Sequence, residues 1–197
     1  MILSALKVLE LNEEHDLIGN LSEMQLNNPE GTVLDLRIGS VVRPIGDSYL
    51  PADLPERKRY SPKTEPVGDF NADGFKRITM VPGEYLLVAT IEVIHAPPYK
   101  IKFDKFFPEM FLVPKISPRS SLQRGCVSLH HTGTTPGYKG VLAFGMMNNG
   151  KHDFHFDLGA RLFSVEYYPV IGDINRPYSG QHQGGRLTSQ GETEVQT

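Results

Sequence analysis

The sequence predicts a mainly β domain, a barrel or sandwich of short strands with one small N-terminal helix. Three observations predict it. The 197 residues include 19 glycines and 15 prolines spread along the chain, which disfavours long helices and favours turns. Apolar runs that alternate or are continuous recur between those turns, at 33–39, 85–94, 141–147 and 161–170. The clearest helix signal is a short one at the start of the chain.

That helix follows Ser4, whose hydroxyl can accept an orphan backbone N–H, and carries Ala5, Leu6, Val8 and Leu9. Leu6 and Leu9, three apart, are expected to share its buried face. After the turn Gln25-Leu26-Asn27-Asn28-Pro29, a strand sets Leu34, Leu36 and Ile38 against Val33, Asp35 and Arg37. Residues 43–77 carry five prolines and the run Glu56-Arg57-Lys58-Arg59, and read as a variable, solvated loop. Met80-Val81-Pro82-Gly83-Glu84 is a turn, and Tyr85 to Ile94 a strand rich in β-formers. Residues 97–111 read as a loop packing its aromatic rings inward. Val141 to Met147 suits a strand buried on both faces. In 161–170, Phe163, Val165 and Tyr167 oppose Ser164 and Glu166. Beyond residue 175 the chain turns polar and Gly-rich, like a mobile arm. The expected organisation is one domain over 1–175 and an arm over 176–197.

A net charge of −3 argues against a general nucleic-acid coat. One cysteine, Cys126, excludes an internal disulfide and a cysteine-cage zinc site, and is expected to be buried and inert. The N-terminal stretch has neither a basic n-region nor an uninterrupted apolar span, so the expectation is a soluble, cytoplasmic protein without a membrane partner.

Chemistry concentrates in Pro118-Arg119-Ser120-Ser121-Leu122-Gln123-Arg124-Gly125. Two guanidinium forks with hydroxyls between them match a polyphosphate; a helical turn held by surface ion pairs is the alternative. The turn Thr134-Thr135-Pro136-Gly137-Tyr138-Lys139-Gly140 follows, where small residues let a ligand approach the backbone. Gly184 and Gly185 invite the same reading in the arm segment Arg176-Pro177-Tyr178 through Gln181-His182-Gln183-Gly184-Gly185-Arg186.

The order of these segments resembles the dCTP deaminases, which share a fold with the trimeric dUTPases. Met1 to Ser4, Gln25 to Gly39, Pro82 to Glu92, Pro118 to Gly125, Pro136 to Gly140, Asn148 to Gly150, and Pro177-Tyr178 with Gln183-Gly184 carry the resemblance over almost the whole chain. It implies a distorted β-barrel of dUTPase type and a homotrimer with dCTP or dUTP at the subunit interfaces. Arg119, Ser120 and Ser121 would contact the triphosphate, with Arg124 beside it or the base. Thr135 and Tyr138 would line the site, and Tyr178, Gln181 and Gln183 would come from the arm of another subunit. Magnesium would arrive on the triphosphate rather than on a protein site.

The resemblance also implies two carboxylates that this chain lacks. The deaminase glutamate falls at Gly145, and the aspartate of the dUTPases at Thr135. No Asp or Glu lies between Thr132 and Lys151. Threonine cannot act as a base near neutral pH, and losing a positioned base costs on the order of 10²–10⁴ in rate. Arg124 and Ser120 keep supporting roles, whereas catalysis would need a displaced group. His130 or His131 facing the base is one such group, against the reading of both as structural strand residues. His152 and His155 make a poor metal pair, and Glu92 and Glu166 match ordinary strand positions. Three readings follow: a silent nucleotide-binding protein, in which Gly145→Glu would restore some deamination; an active deaminase or dUTP diphosphatase; and an interaction module without a ligand.

Overall fold

The computed structural model describes residues 1–51, 58–131 and 133–195. In chain order the elements are α1 (Ala5–His15), β1 (Ile18–Gly19), α2 (Glu23–Asn27), β2 (Leu34–Ile45), β3 (Lys58–Arg59) and β4 (Lys63–Asp69). They continue with α3 (Phe70–Asp73), β5 (Arg77–Met80), β6 (Tyr85–His95), β7 (Phe111–Pro118), α4 (Ser120–Arg124) and β8 (Val127–His130). The chain closes with β9 (Lys139–Asn148), β10 (Phe154–Asp157), β11 (Arg161–Val170) and β12 (Glu194–Val195). The protein is mainly β, as its turn-rich composition predicts. No helix among the described residues is long and apolar enough to cross a membrane.

One eight-stranded sheet runs β7-β11-β2-β6-β9-β8, with β1 on β6 and β4 on β2. It curls into a nearly closed barrel because register shifts interrupt four of its ladders, and a bulge bends and twists the strand that carries it. The period-2 faces turn inward: Leu34, Leu36 and Ile38 of β2, Leu86 and Val88 of β6, and Phe163, Val165 and Tyr167 of β11 are all buried. Phe144 and Phe163 stack across this core at 4.5 Å.

Helix α1 starts where expected, with Ser4 Oγ accepting from Lys7 N at 3.2 Å. Its buried face is Ala5, Val8 and Leu11, with Leu9 half-buried against the core beside them; Leu6, expected on the same face, is 70% exposed. Residues 43–77 are not a plain loop. β2 runs on to Ile45 and pairs with β4, where Pro66 is tolerated because β4 is bonded only on its β2 side. Of the charge run, Glu56 and Arg57 lie outside the described residues, while Lys58 and Arg59 pair with Val195 and Glu194. In 97–111 the rings divide: Phe103 and Phe111 are buried, but Tyr99, Phe106 and Phe107 face solvent. Cys126 is exposed rather than buried and takes φ 56° just after α4.

The ladder of β6 to β9 breaks between Ala89 and Val93, and polar groups absorb the break. Thr90 Oγ1 donates to Glu92 O at 2.7 Å and accepts from Leu142 N at 3.0 Å. The buried Glu92 carboxylate accepts from both the backbone N and Nε of Arg37, each at 2.7 Å. Burial pushes its pKa up, and the Arg37 hydrogen bonds and charge oppose that rise. Removing one partner strands the other charge, so Glu92→Ala should cost about 3 kcal/mol, the lower end for a broken buried pair because Arg37 keeps some exposure. A urea midpoint that falls with the slope unchanged is the expected reading, and an unchanged midpoint would refute it.

Candidate functional site

The C-terminal arm does not stand away from the barrel. Tyr178 N donates to Pro136 O at 2.7 Å, and Gly184 N donates to Lys139 O at 3.0 Å. Gln183 clamps the same strand, donating from Nε2 to Gly137 O at 2.9 Å. Beyond it the tail folds back along the barrel: Ser189 and Ser61 exchange backbone-to-hydroxyl hydrogen bonds of 2.6 and 3.0 Å, and β12 pairs with β3. Arg186 binds Glu194 through both guanidinium amino groups, and Arg59 reaches Gln181 and His182. This network explains why a polar, Gly-rich segment takes one path along its own chain.

Glycines make the docking sterically possible. A Cβ on Gly140 would lie 2.7 Å from Gly184 Cα, and one on Gly137 2.6 Å from Tyr178 N, with Gly137 at φ +102°. The sequence reading gave these glycines to an approaching nucleotide; what approaches them is the arm's own backbone.

Between the arm and the sheet lies a cavity of about 560 Å³. Its apolar wall is Leu87, Leu142, Ala143 and Phe144; its aromatic and polar groups are Tyr85, Tyr138, Tyr178, His130, His131 and His182. Thr135 stands at the mouth, Gly145 in the β9 wall, and Arg186 on the arm side. No carboxylate lines it among the described residues. Tyr138 and Tyr178 pack with ring centroids 5.8 Å apart. Burial, with the neighbouring Tyr178, pushes the Tyr138 phenol up to about 12. Its hydroxyl donates to Val141 O at 2.5 Å. His130 Nε2 lies 3.2 Å from Ser128 Oγ.

The expected site residues therefore fall into two groups. Thr135, Tyr138 and Tyr178 line the cavity, whereas Gln181 and Gln183 hold the arm to β3, the tail and the β9 turn. Arg119, Ser120, Ser121 and Arg124 are not among the lining residues. They form α4 and its N-cap, a helical turn on which Ser120, Ser121 and Arg124 are exposed and Arg124 Nη1 donates to Ser120 Oγ at 3.2 Å. Arg119 is tied down by the buried Asp35, which also accepts from Arg161 Nη1 at 3.1 Å and Ser164 Oγ at 3.0 Å. A single chain thus carries an aromatic cavity and a separate hydroxyl-guanidinium turn.

Sequence reasoning missed Tyr85 and left His182 and Arg186 without roles. Tyr85 read only as the start of a strand, and its place in the cavity follows from a cross-strand diagonal that no local pattern marks. Gly145→Glu, the substitution the resemblance suggests, meets an obstacle: a Cβ at 145 would overlap the Tyr85 hydroxyl and lie 2.6 Å from its Cζ. His155 is engaged in β10, its Nδ1 2.9 Å from Thr79 Oγ1. Among the described residues no three His, Cys, Asp or Glu side chains are grouped to hold a metal.

Residues 2–170 match the model of the dCTP deaminase-like family, and the chain belongs to that family. Its place is in deoxynucleotide metabolism of the dCTP deaminase and dUTPase type. A relative described as a probable deoxyuridine 5'-triphosphate nucleotidohydrolase of Methanothermobacter thermautotrophicus is 27% identical over 162 residues. That match covers 81% of this chain and 89% of the relative. The fold is like that of the 2'-deoxycytidine 5'-triphosphate deaminase from Agrobacterium tumefaciens, with a TM-score of 0.57 and 15% identity. The alignment covers 84% of this chain and 47% of that one, so this chain spans about half of that structure.

Two consequences of the docked arm are measurable. Gly140→Ala should release the arm from β9, seen as faster amide exchange over 178–187 while β6 and β11 stay protected; unchanged exchange would show that the close approach is unimportant. The Arg186 guanidinium, hydrogen-bonded to Glu194, holds that carboxyl below its usual range. A depressed folded pKa stabilises the clasp above the ordinary glutamate value of 4.5, and that contribution fades as pH falls through the lower folded value. Exchange at the tail, corrected for intrinsic rate, should rise on acidification in the wild type. In Glu194→Gln it should already be raised at pH 7.

Proposed function

We propose that this chain binds a pyrimidine deoxyribonucleoside triphosphate of the dCTP or dUTP type, at sites completed between three copies of the chain. The observation that carries the reading is the cavity lining. Phenol rings, imidazoles and an apolar wall, without a carboxylate, suit a planar ring that carries an anion. The exposed Ser120, Ser121 and Arg124, with Arg119 fixed by Asp35, suit the triphosphate. They lie on α4 and not in the same chain's cavity, so a neighbouring copy is the natural source of the phosphate contacts. In this reading the arm lies over its own chain's cavity and supplies Tyr178, while Gln181 and Gln183 act by keeping it there. Magnesium enters on the triphosphate.

Residues 1–175 form the nucleotide-binding domain in this reading, and 176–197 its cover. Binding, rather than turnover, is the function in this reading: the wall at 145 and the turn at 135, where the family resemblance calls for catalytic acids, offer no carboxylate. A second reading is hydrolysis of dUTP. It is favoured by the 27% identity to a protein described as a probable dUTP nucleotidohydrolase. It needs a base from elsewhere, and His130, His131 and His182 are the titratable groups in place.

Thermal shift and calorimetry with dCTP and dUTP plus Mg²⁺, alongside ammonia and pyrophosphate release assays, separate the readings. Binding should stabilise the protein by about 2.7 kcal/mol at a hundredfold over Kd, with no product formed. Arg124→Ala should weaken binding about tenfold or more without changing the melting temperature of the free protein. Product at an enzyme's rate would establish the second reading. No response to any deoxynucleotide would leave an interaction module.

A further inference from the structure

The missing side chain at Gly145 is not an empty place in the cavity wall. Gly145 faces Leu87 across the β6–β9 ladder and His130 across the β8–β9 ladder. Tyr85, two residues before Leu87 and opposite Met147, is its diagonal neighbour on the same face, within reach of an aromatic side chain. The Tyr85 ring crosses to Gly145 and puts its hydroxyl where a side chain at 145 would begin. On its other side the ring lies against His130, with centroids 6.0 Å apart. Any residue larger than glycine at 145 would evict the phenol, so the two positions form one steric unit.

The hydroxyl is also chemically free. It has no hydrogen-bond partner among the described residues, and it lies on the cavity lining. Burial raises its pKa, so at neutral pH it is an uncharged phenol that can both donate and accept. A group of that kind cannot pull a proton from water, but it can satisfy a carbonyl or an amino group on the edge of a ring. A site built to hydrogen-bond such a group discriminates against ligands that lack it.

We propose that Tyr85, seated over Gly145, is a specificity-determining residue whose neutral hydroxyl hydrogen-bonds the polar edge of the bound nucleobase. This rests on the nucleotide reading above. It assigns the base end of the ligand to the β6–β9 wall and leaves the phosphate end to α4. It also gives Gly145 a positive role, since glycine is what lets the phenol reach the ligand.

The test is Tyr85→Phe, which keeps the ring and its packing and removes only the hydroxyl. Three probes are titrated by calorimetry: dCTP, dUTP and inorganic triphosphate, all with Mg²⁺. Affinity for dCTP, dUTP or both should fall about tenfold, with inorganic triphosphate and the melting temperature of the free protein unchanged. Arg124→Ala, by contrast, should weaken all three probes. If Tyr85→Phe weakens triphosphate equally, or leaves nucleotide affinity intact, Tyr85 does not read the base and this inference falls alone. If the wild-type protein binds no deoxynucleotide, the nucleotide reading fails first and this inference with it.

Discussion

Backbone meets backbone where the arm crosses the start of β9, and the cavity exists because of that contact. At Gly140 and Gly184 two chain segments approach too closely for any Cβ on Gly140, and the isolated bridge between them fixes the arm's height above the sheet. A wider spacing would open the cavity to solvent and lift Tyr178 away from Tyr138. Hydrogen bonds from Gln183 then set the arm's direction, and the tail contacts to Ser61 and Arg59 hold its far end. The steric constraint comes first; the hydrogen bonds select one path among those it permits.

Upstream of that contact, the barrel supplies a rigid wall. The β6–β9 ladder is interrupted once, and Thr90 with the Glu92–Arg37 pair meets the polar groups exposed there. Below the interruption Leu142 and Phe144 face the core and the cavity together, so the wall is as firmly packed as the barrel itself. On the far side Asp35 gathers Arg119 from the start of α4 and Arg161 and Ser164 from β11, and so fixes the start of α4. Asp35 is itself buried and holds Arg119 in place. The α4 turn and the aromatic cavity are each anchored to the core, but to different parts of it.

What the sequence made legible follows from how local the determining physics is. Strands β2 and β11 were readable because side-chain alternation is a two-residue property, and β6 and β9 because β-formers and apolar residues run together there; β9 nonetheless buries chiefly one face, with Val141, Ala143 and Met147 only half-buried. The face of α1 was misread at Leu6 because the three-residue spacing that joins Leu6 to Leu9 equally joins Ala5 to Val8 and Leu11, and only packing on the barrel chooses between the two rows. β4 was hidden by Pro66, which an edge strand accepts and a central one would not. In the site, the family segments were visible as strings of residues, but their division into two separate places was not. The arm's docking depends on glycines more than forty residues apart, and nothing local distinguishes a glycine reserved for a ligand from one reserved for the chain's own backbone.

The pair Tyr85 and Gly145 shows the same limit and turns it to use. Read singly, Gly145 is a loss: a carboxylate is missing where the resemblance calls for one. Read with Tyr85 it is an occupied place, because a phenol from the neighbouring strand puts its hydroxyl where the side chain would begin. That occupancy couples the two positions. A side chain cannot be seated at 145 while the phenol stands there, since its Cβ would overlap the Tyr85 hydroxyl. A side chain at 145 on β9 therefore requires the Tyr85 ring to move or to be replaced. In the proposed nucleotide reading the neutral phenol would hold the ligand's ring, and any group that activates water would have to come from another wall of the cavity, where His130, His131 and His182 stand.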